Sequence, residues 1–195
     1  MAIKLSKIIN SWVPENSKVI DFGCGDGSLL KELFENKQVL GYGVEINDTK
    51  IEKCIEKGVP VIKLDIDKGL NDFMSSNFDL SIMARSIQCL KNPDLALNRM
   101  LKLSKRCVVT LPNLGYWRCR INLALGKMPI TPDLPSSWYE TENIHLCTIK
   151  DFENLCLKEN ISIKDKVFIN RSGDQGGLSK ICLLYTSDAA DDSLG

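Results

Sequence analysis

The fold is decided by the stretch Val19-Ile20-Asp21-Phe22-Gly23-Cys24-Gly25-Asp26-Gly27. An apolar run of strand length ends here in a turn with three glycines, and residues 28–36 follow with apolar side chains at helical spacing. Because glycine has no Cβ, such a turn can take positive φ angles and bring its backbone close to a ligand. The N-terminus of the next helix offers unpaired N–H groups to the same ligand. The sequence therefore predicts a strand, a ligand-binding turn and a helix.

The rest of the chain alternates between strands and helices in the same way. Predicted strands span residues 18–22, 39–45, 59–64, 78–83, 106–111 and 161–169. Predicted helices span residues 28–36, 48–57, 93–103 and 151–158, after an N-terminal helix that Pro14 ends. This alternation favours a Rossmann-like α/β fold, in which helices cover both faces of a mostly parallel sheet. Residues 113–143 contain prolines and tryptophans without a clean period, so we interpret them as a lid or insertion.

The glycine turn distinguishes between two nucleotide-like ligands. A dinucleotide-binding turn has the spacing Gly-x-Gly-x-x-Gly, which would place the third glycine at position 28, but the sequence has Gly27 and Ser28. Asp21 adds a carboxylate that disfavours a pyrophosphate and suits a ligand with a cationic amino acid end. We therefore expect S-adenosylmethionine, or its demethylated product S-adenosylhomocysteine, rather than NAD. The expected contacts in the turn are Asp21, Gly23, Cys24, Gly25 and Gly27.

Two further acidic residues end the next two predicted strands. Glu45 lies 20 residues after Gly25, where a carboxylate can accept hydrogen bonds from ribose hydroxyls. Asp65 ends the third strand, where methyltransferases commonly place a polar side chain near the adenine amino group. Asp67, by contrast, is better interpreted as a residue that caps a turn. We expect Glu45 and Asp65 to complete the cofactor site.

The composition excludes several classes of protein. The 195 residues carry 25 basic and 25 acidic side chains without a long basic run, so the electrostatic footprint of a nucleic-acid-binding protein is missing. Because no stretch of about 18 apolar residues occurs, we expect no membrane partner and a cytoplasmic location. The eight cysteines include no Cys-x-x-Cys pair, which argues against a metal site and favours small buried apolar side chains in a reducing compartment.

Four blocks of the sequence resemble the methionine biosynthesis protein W (MetW) family. They are Ile20-Asp-Phe-Gly-Cys-Gly-Asp-Gly27, Gly41-Tyr-Gly-Val-Glu45, Leu111-Pro-Asn-Leu-Gly-Tyr-Trp-Arg118 and Trp138-Tyr-Glu-Thr-Glu-Asn-Ile-His-Leu-Cys-Thr148. The first two recur among methyltransferases in general, whereas the last two are much narrower. The resemblance covers nearly all of residues 5–170. It implies a class I S-adenosylmethionine-dependent methyltransferase fold and an accessory protein of methionine biosynthesis that binds and supports homoserine O-acetyltransferase.

The sequence leaves open whether the protein is an enzyme. The alternative to the accessory role is an active methyltransferase on an unidentified small molecule. Methyl transfer from a sulfonium can be accelerated by positioning alone, so the lack of an evident nucleophile does not decide between them. His145, the only histidine, is a candidate general base, and the alternative is a structural role in holding the lid. The aromatic and arginine residues between Tyr116 and Tyr139 are expected to line a pocket or a docking face, with two of them in the core.

The C-terminal residues break the pattern. Cys182-Leu-Leu-Tyr-Thr-Ser-Asp-Ala-Ala-Asp191 resembles the translation of a transposase-end adapter that is used in DNA library preparation. We therefore expect residues 182–195 to be a non-native tail that adds nothing to the core, and the methyltransferase-like domain to span residues 1–181. On this interpretation the last strand of the sheet, which runs antiparallel in doubly wound methyltransferases, is missing.

Overall fold

The computed structural model describes residues 2–69, 77–131, 134–169 and 181–188. Six helices are α1 (Ala2–Trp12), α2 (Ser28–Lys37), α3 (Asp48–Glu56), α4 (Pro93–Leu103), α5 (Trp117–Ala124) and α6 (Ile149–Lys158). Seven strands are β1 (Lys18–Phe22), β2 (Leu40–Glu45), β3 (Val61–Lys63), β4 (Phe78–Ala84), β5 (Ser104–Pro112), β6 (Ile161–Ile169) and β7 (Ile181–Asp188). Short 3-10 turns follow β3 and β4, over Ile66–Lys68 and Ile87–Cys89.

The strands form one sheet in the order β3-β2-β1-β4-β5-β7-β6. The first five strands pair in parallel, and β7 runs antiparallel to both β5 and β6. This confirms the predicted mostly parallel α/β sheet. The order reverses between β1 and β4, because the chain first builds outward from β1 to β3 and then returns to add β4 on the other side. Such a reversal opens a crevice at the carboxyl ends of the two strands, where ligands bind in folds of this type.

Helices cover both faces of the sheet, as predicted, and each face has its own core. Successive residues of a strand point to opposite faces, so Val19 belongs to one core and Ile20 to the other. The first core is completed by buried side chains of α1, α2 and α3: Ile9, Leu30, Leu33 and Cys54. The second core is completed by buried side chains of α4 and α6: Leu97, Met100, Phe152 and Cys156. Buried Cys24, Cys54, Cys107, Cys119 and Cys156 confirm the expectation that most cysteines pack as small apolar residues.

The start of α6 shows how local sequence sets the ends of the elements. Thr148 accepts a hydrogen bond from the N–H of Asp151, and the Asp151 carboxylate accepts one from the N–H of Thr148. This reciprocal capping box starts the helix at Ile149, two residues before the predicted position. The two bonds satisfy backbone donors that have no partner within the helix.

The prediction that the last strand is missing is wrong. Residues 181–188 form β7, which pairs with β5 from Pro112 to Arg106 and with the whole length of β6. The physical reason is that Ile181-Cys-Leu-Leu-Tyr-Thr is an apolar run of strand length rich in residues that favour strands. The sheet therefore extends beyond residue 181. That residues 182–195 derive from an adapter stays a prediction.

The segment interpreted as a lid contains more regular structure than predicted. It begins after β5, forms α5, and includes a bridge between Thr131 and Leu134. The sequence also predicts a polar, glycine-rich loop at residues 171–177, which lie outside the described residues. In the described part of the chain, no helix is long and apolar enough to cross a membrane.

Candidate functional site

The glycine turn lies at the carboxyl end of β1, next to β4. Gly23, Gly25 and Gly27 all have positive φ angles, of 73°, 61° and 73°. A Cβ at Gly23 would lie 2.7 Å from the Cβ of Ser86, so the loop after β4 leaves no room for a side chain there. A Cβ at Gly25 would meet no atom within 4 Å. The turn is therefore closed on the β4 side at Gly23 and faces open space at Gly25.

Glu45 closes the turn from the β2 side. Its Oε2 accepts a hydrogen bond from the N–H of Gly25 at 2.9 Å. Its Oε1 accepts from the N–H groups of Ile46 and Asn47 at 2.9 and 3.0 Å. A carboxylate has about four lone-pair positions, so about one remains for a ligand while all three bonds are kept. The structure thus brings Glu45 to the glycine turn, although its side chain is only 6% exposed.

Asp21 is buried directly below the turn. Its side chain is 1% exposed, and its Oδ1 has no hydrogen-bond donor among the described residues. Burial, with a smaller contribution from the negative charge of Glu45, raises the pKa of Asp21 from 3.8 to about 7. A buried carboxyl group without a donor is costly, and such groups concentrate where a ligand or a reaction uses them.

The side chain of Cys24 points away from the open side of the turn. It is buried with Cys54 of α3 at a sulfur–sulfur distance of 3.9 Å, and a Cβ on Gly43 of β2 would lie 2.3 Å from its sulfur. Its N–H donates to the carbonyl of Val44 at 3.1 Å. The sequence placed Cys24 among the cofactor contacts, but the structure gives its thiol a packing position. Burial raises the pKa of this thiol.

Asp26 lies on the outer side of the turn, where it forms an ion pair with Lys57. Its carboxylate also accepts hydrogen bonds from the N–H and hydroxyl of Ser28 at the start of α2. The hydrogen bond from Lys57, with smaller contributions from those of Ser28, lowers the pKa of Asp26. These contacts occupy the Asp26 carboxylate and set the start of α2.

Asp65 and Asp67 both interact with nearby backbone. Asp65 accepts a hydrogen bond from the N–H of Asp67 at 3.1 Å and lies 3.5 Å from the ammonium group of Lys68. Asp67 accepts from the N–H groups of Lys91 and Asn92, which are 24 and 25 residues further along the chain. Asp65 caps the 3-10 turn after β3, and a contact with adenine stays a prediction. Asp67 was expected to cap a turn, but the cap of this turn is Asp65, and the Asp67 carboxylate instead joins the turn to the segment before α4.

The loop after β4 connects the turn to the lid segment. Ser86 donates to the carbonyl of Phe22 at 2.9 Å. The N–H of His145 donates to the carbonyl of Gln88 at 3.0 Å, and the His145 ring nitrogen Nε2 lies 3.2 Å from the carbonyl of Lys91. These His145 contacts suit a residue that holds the lid segment against the loop. The catalytic role of His145 stays a prediction.

The aromatic residues of the lid segment differ from the prediction. None of Tyr116, Trp117, Arg118, Trp138 and Tyr139 is buried, although two were expected in the core. Trp138 and Tyr139 are 72% and 70% exposed. The sequence predicts that Ser86, which directly follows the fourth strand, lies where substrates enter such folds, and the structure packs it against Gly23 of the turn.

The glycine turn brings two acidic side chains and an open stretch of backbone together at the carboxyl ends of β1 and β2. Glu45 offers an acceptor at the end of β2, and Asp21 offers a buried carboxyl oxygen in β1. A Cβ at Gly25 would meet no atom within 4 Å, so the backbone of the turn is open there. Within the described residues, no group of three histidine, cysteine or acidic side chains could hold a metal ion.

The family model described as methionine biosynthesis protein MetW matches residues 4–190. The bifunctional methionine biosynthesis protein MetXA/MetW of Rhodopirellula baltica is 29% identical over 166 residues, which is 80% of this chain and 27% of that protein. This chain thus spans about a quarter of the length of that curated relative.

Solved structures show the same fold. An S-adenosylmethionine-dependent methyltransferase from Clostridium acetobutylicum has a TM-score of 0.68 at 13% identity, with 95% of this chain and 91% of that chain covered. The plantazolicin methyltransferase BpumL in complex with SAH has a TM-score of 0.63 at 14% identity, with 95% and 80% covered. At these identities the likeness concerns the fold. Because the family model spans nearly the whole chain, the protein belongs to the MetW family and has the fold of class I S-adenosylmethionine-dependent methyltransferases.

Proposed function

We propose that this protein binds S-adenosylmethionine or S-adenosylhomocysteine at the glycine turn and supports or regulates homoserine O-acetyltransferase. Binding of the cofactor is supported by the buried Oδ1 of Asp21, which has no donor among the residues that the structure describes, beside a turn whose Gly25 faces open space. A cationic ammonium group supplies the missing donor and charge. The MetW family membership and the fused relative support the partner half.

The residues present fit the cofactor part by part. Asp21 would hold the ammonium group of the amino acid end, directly or through water, and Glu45 would accept from a ribose hydroxyl. Gly23 and Gly25 would let the backbone approach the ligand without a Cβ in the way. Ile46, which is 56% exposed directly after Glu45, offers an apolar side chain for the adenine face. Pattern reasoning did not identify Ile46, because one exposed isoleucine is unremarkable in sequence.

The cofactor would supply a methyl group on a sulfonium, but apart from Asp21, which this proposal assigns to the ammonium group, the described residues around the turn include no evident general base. The Ser86 hydroxyl donates to the carbonyl of Phe22, and the Asp26 carboxylate forms an ion pair with Lys57. Both hydrogen bonds of His145 go to the loop after β4. Because methyl transfer can proceed by positioning alone, the accessory role, in which occupancy rather than turnover is the signal, is supported by the MetW family membership and not by the lack of a base. We expect this role to operate in the cytoplasm.

The partner follows from the fused relative. The Rhodopirellula baltica protein is a bifunctional MetXA/MetW protein, which joins the two in one chain. The resemblance to the MetW family implies a homoserine O-acetyltransferase as partner, and this proposal takes MetXA to be that enzyme. Two activities joined in one chain act close together in space, which supports contact between the corresponding separate chains.

A second candidate function is methyl transfer to a small molecule. It is favoured by Gln88, which is 3% exposed and whose Oε1 has no donor among the described residues. Its Nε2 donates toward the sulfur of Cys147 at 3.2 Å. Gln88 and His145 line a cavity of about 210 Å³ with mostly apolar walls. An acceptor molecule with an N–H or O–H group would satisfy that oxygen.

The two functions are separated by one assay with two readouts. Homoserine acetylation by the acetyltransferase of the same organism is measured with and without this protein, in the presence of S-adenosylmethionine. The proposal expects a complex at micromolar concentration and a changed acetylation rate. If no complex forms and a methylated product accumulates with homoserine or its acetyl ester as acceptor, the accessory role is wrong and methyl transfer takes its place.

A further inference from the structure

We propose that the exposed apolar side chains of residues 117–146 form the surface on which the acetyltransferase docks. This inference rests on the proposed function and gives its partner a place on the molecule. We call this area the apolar surface. Its main members are Trp117, Leu125, Met128, Ile130, Trp138 and Ile144, which are between 43% and 72% exposed.

The apolar surface concentrates most of the exposed large apolar side chains. Among the described residues, 16 large apolar side chains are exposed, and 10 of them lie within residues 117–146. Single exposed apolar residues are ordinary on protein surfaces, but a concentrated group marks an interaction site. The remaining six, such as Leu40 and Leu157, are scattered over the rest of the chain.

A cavity lies within the apolar surface. It has a volume of about 660 Å³, and its walls include Met128, Ile130, Trp138 and Ile144. Lys127 and Ser137 add polar groups at its lining. Central pockets that accept an anchor side chain are typical of the energetic centres of protein interfaces. The cavity therefore suits an apolar side chain of a partner.

The apolar surface also contains the residue types that are typical of the centre of a protein interface. The guanidinium of Arg118 lies 5.1 Å from the ring centre of Trp117. The rings of Trp138 and Tyr139 pack edge to face with centres 5.6 Å apart. Tryptophan, tyrosine and arginine are the residues that most often carry binding energy in interfaces, because they bury large area at low entropic cost.

The charge of this segment favours a protein rather than a membrane as occupant. Residues 117–146 contain three basic and three acidic residues, namely Arg118, Arg120, Lys127, Asp133, Glu140 and Glu142. A face that binds anionic lipid carries an excess of lysine and arginine. The fused relative supports the acetyltransferase of the proposed function as that protein, since MetXA and MetW occupy one chain there.

The apolar surface also lies at the ligand-binding end of the sheet. Residues 117–146 follow the carboxyl end of β5, and the N–H of Leu114 donates to the carbonyl of Cys147 at 3.2 Å. His145 is bonded to the loop after β4, whose Ser86 contacts the glycine turn. A partner docked here would therefore lie beside the cofactor site.

The test compares substitutions on and off the apolar surface. Leu125→Asp and Trp138→Asp place a charge on side chains that are 69% and 72% exposed, and Leu157→Asp does the same on α6 at 78% exposed as the matched control. Affinity for the acetyltransferase is measured by calorimetry, together with thermal unfolding and binding of S-adenosylhomocysteine. The two surface variants should bind the acetyltransferase at least tenfold more weakly, and the control should bind within twofold of wild type.

The outcomes separate this inference from the function on which it rests. If wild type binds and all three variants bind equally well, the apolar surface is not the docking site, but the accessory role stands. If wild type forms no complex, the partner half of the proposed function fails and the docking surface fails with it. If the surface variants change only self-association of this chain, the occupant is a second copy and the inference is overturned. Unfolding midpoints and cofactor binding equal to wild type exclude misfolding as the cause of weaker docking.

Discussion

Glu45 is the residue whose replacement should weaken cofactor binding most cleanly. Both of its oxygens accept backbone N–H groups, so Glu45→Gln would turn an NH₂ group toward at least one donor and remove the charge that a ribose hydroxyl uses. Hydrogen bonds to charged groups are worth roughly 1.5–3 kcal/mol, which corresponds to roughly 10- to 100-fold in affinity. Calorimetric titration with S-adenosylhomocysteine measures the loss.

The control for this substitution is Asp48→Asn, three residues further along. The Asp48 side chain is 72% exposed and pairs with Lys63 at 2.5 Å. Exposed pairs contribute little, so this variant should bind within twofold of wild type. Equal affinities for Glu45→Gln and Asp48→Asn would show that Glu45 does not contact the ligand.

The buried carboxyl group of Asp21 should make the free energy of unfolding depend on pH in an unusual way. Its folded pKa of about 7 is above its ordinary value of 3.8, so the folded protein keeps a proton that the unfolded chain loses between these values. The stabilisation is complete below pH 4 and is lost as pH rises through 7, with an upper limit of about 4 kcal/mol. Asp21→Asn should therefore flatten the change in unfolding free energy between pH 5 and pH 8. The unfolding free energies are measured by denaturant titration. If they change equally with pH in Asp21→Asn and in wild type, the raised pKa of Asp21 is wrong.

The same substitution also tests which part of the ligand Asp21 contacts. Asp21→Asn should weaken binding of S-adenosylhomocysteine, because an ammonium group loses its charged partner. Binding of methylthioadenosine, which has no amino acid end, should change less than twofold. An equal loss for both ligands would place Asp21 away from the ammonium group.

At the level of elements, the glycine turn can be tested against a glycine of the same geometry elsewhere. Gly25 and Gly58 have φ angles of 61° and 70°, and a Cβ at either would meet no atom within 4 Å. Gly25→Ala and Gly58→Ala therefore carry a similar backbone cost, of about 1 kcal/mol in unfolding free energy. Only Gly25→Ala should also reduce S-adenosylhomocysteine binding, by at least tenfold. Similar affinities in the two variants would mean that the ligand does not approach Gly25.

Strand β7 leads to a second prediction for an element. Truncation after Lys180 removes β7, which is the sheet partner of β6 and of the outer edge of β5. Several backbone hydrogen bonds worth about 0.5–1.5 kcal/mol each are lost, so the unfolding free energy should fall by at least about 3 kcal/mol. Truncation after Asp188 keeps the strand and is the control. Equal melting temperatures for the two truncations would show that β7 does not support the sheet.

The same two elements show what sequence can and cannot predict. The turn was predictable because glycine spacing and a following apolar helix are local signals, and Asp21 and Glu45 followed from strand ends. The orientation of Cys24 into the core depends on its contact with Gly43 on the neighbouring strand, which is not visible in a local pattern. The sequence of β7 (Ile181–Asp188) has the apolar run of a strand but also resembles an adapter, so local pattern alone does not predict the strand. Pairing with β5 is a property of the whole sheet.

For the whole molecule, the cofactor and the partner should influence each other. The lid segment is bonded to the loop after β4 through His145, and Ser86 of that loop touches the turn. If the ligand favours one arrangement of this loop, it must change the affinity for the acetyltransferase, and couplings of this kind are typically about 1–3 kcal/mol. We expect at least a fivefold difference in acetyltransferase affinity with and without saturating S-adenosylhomocysteine. Equal affinities would mean that the protein does not report cofactor level.

A crystal structure of the protein with S-adenosylhomocysteine examines the proposed binding site itself. The ribose should lie against Glu45 and the amino acid end against Asp21 and the turn from Gly23 to Gly27. Ile46 should pack against the adenine ring. A ligand bound away from Glu45 and Asp21, or a turn that stays empty at millimolar ligand, would contradict the assignment of this site.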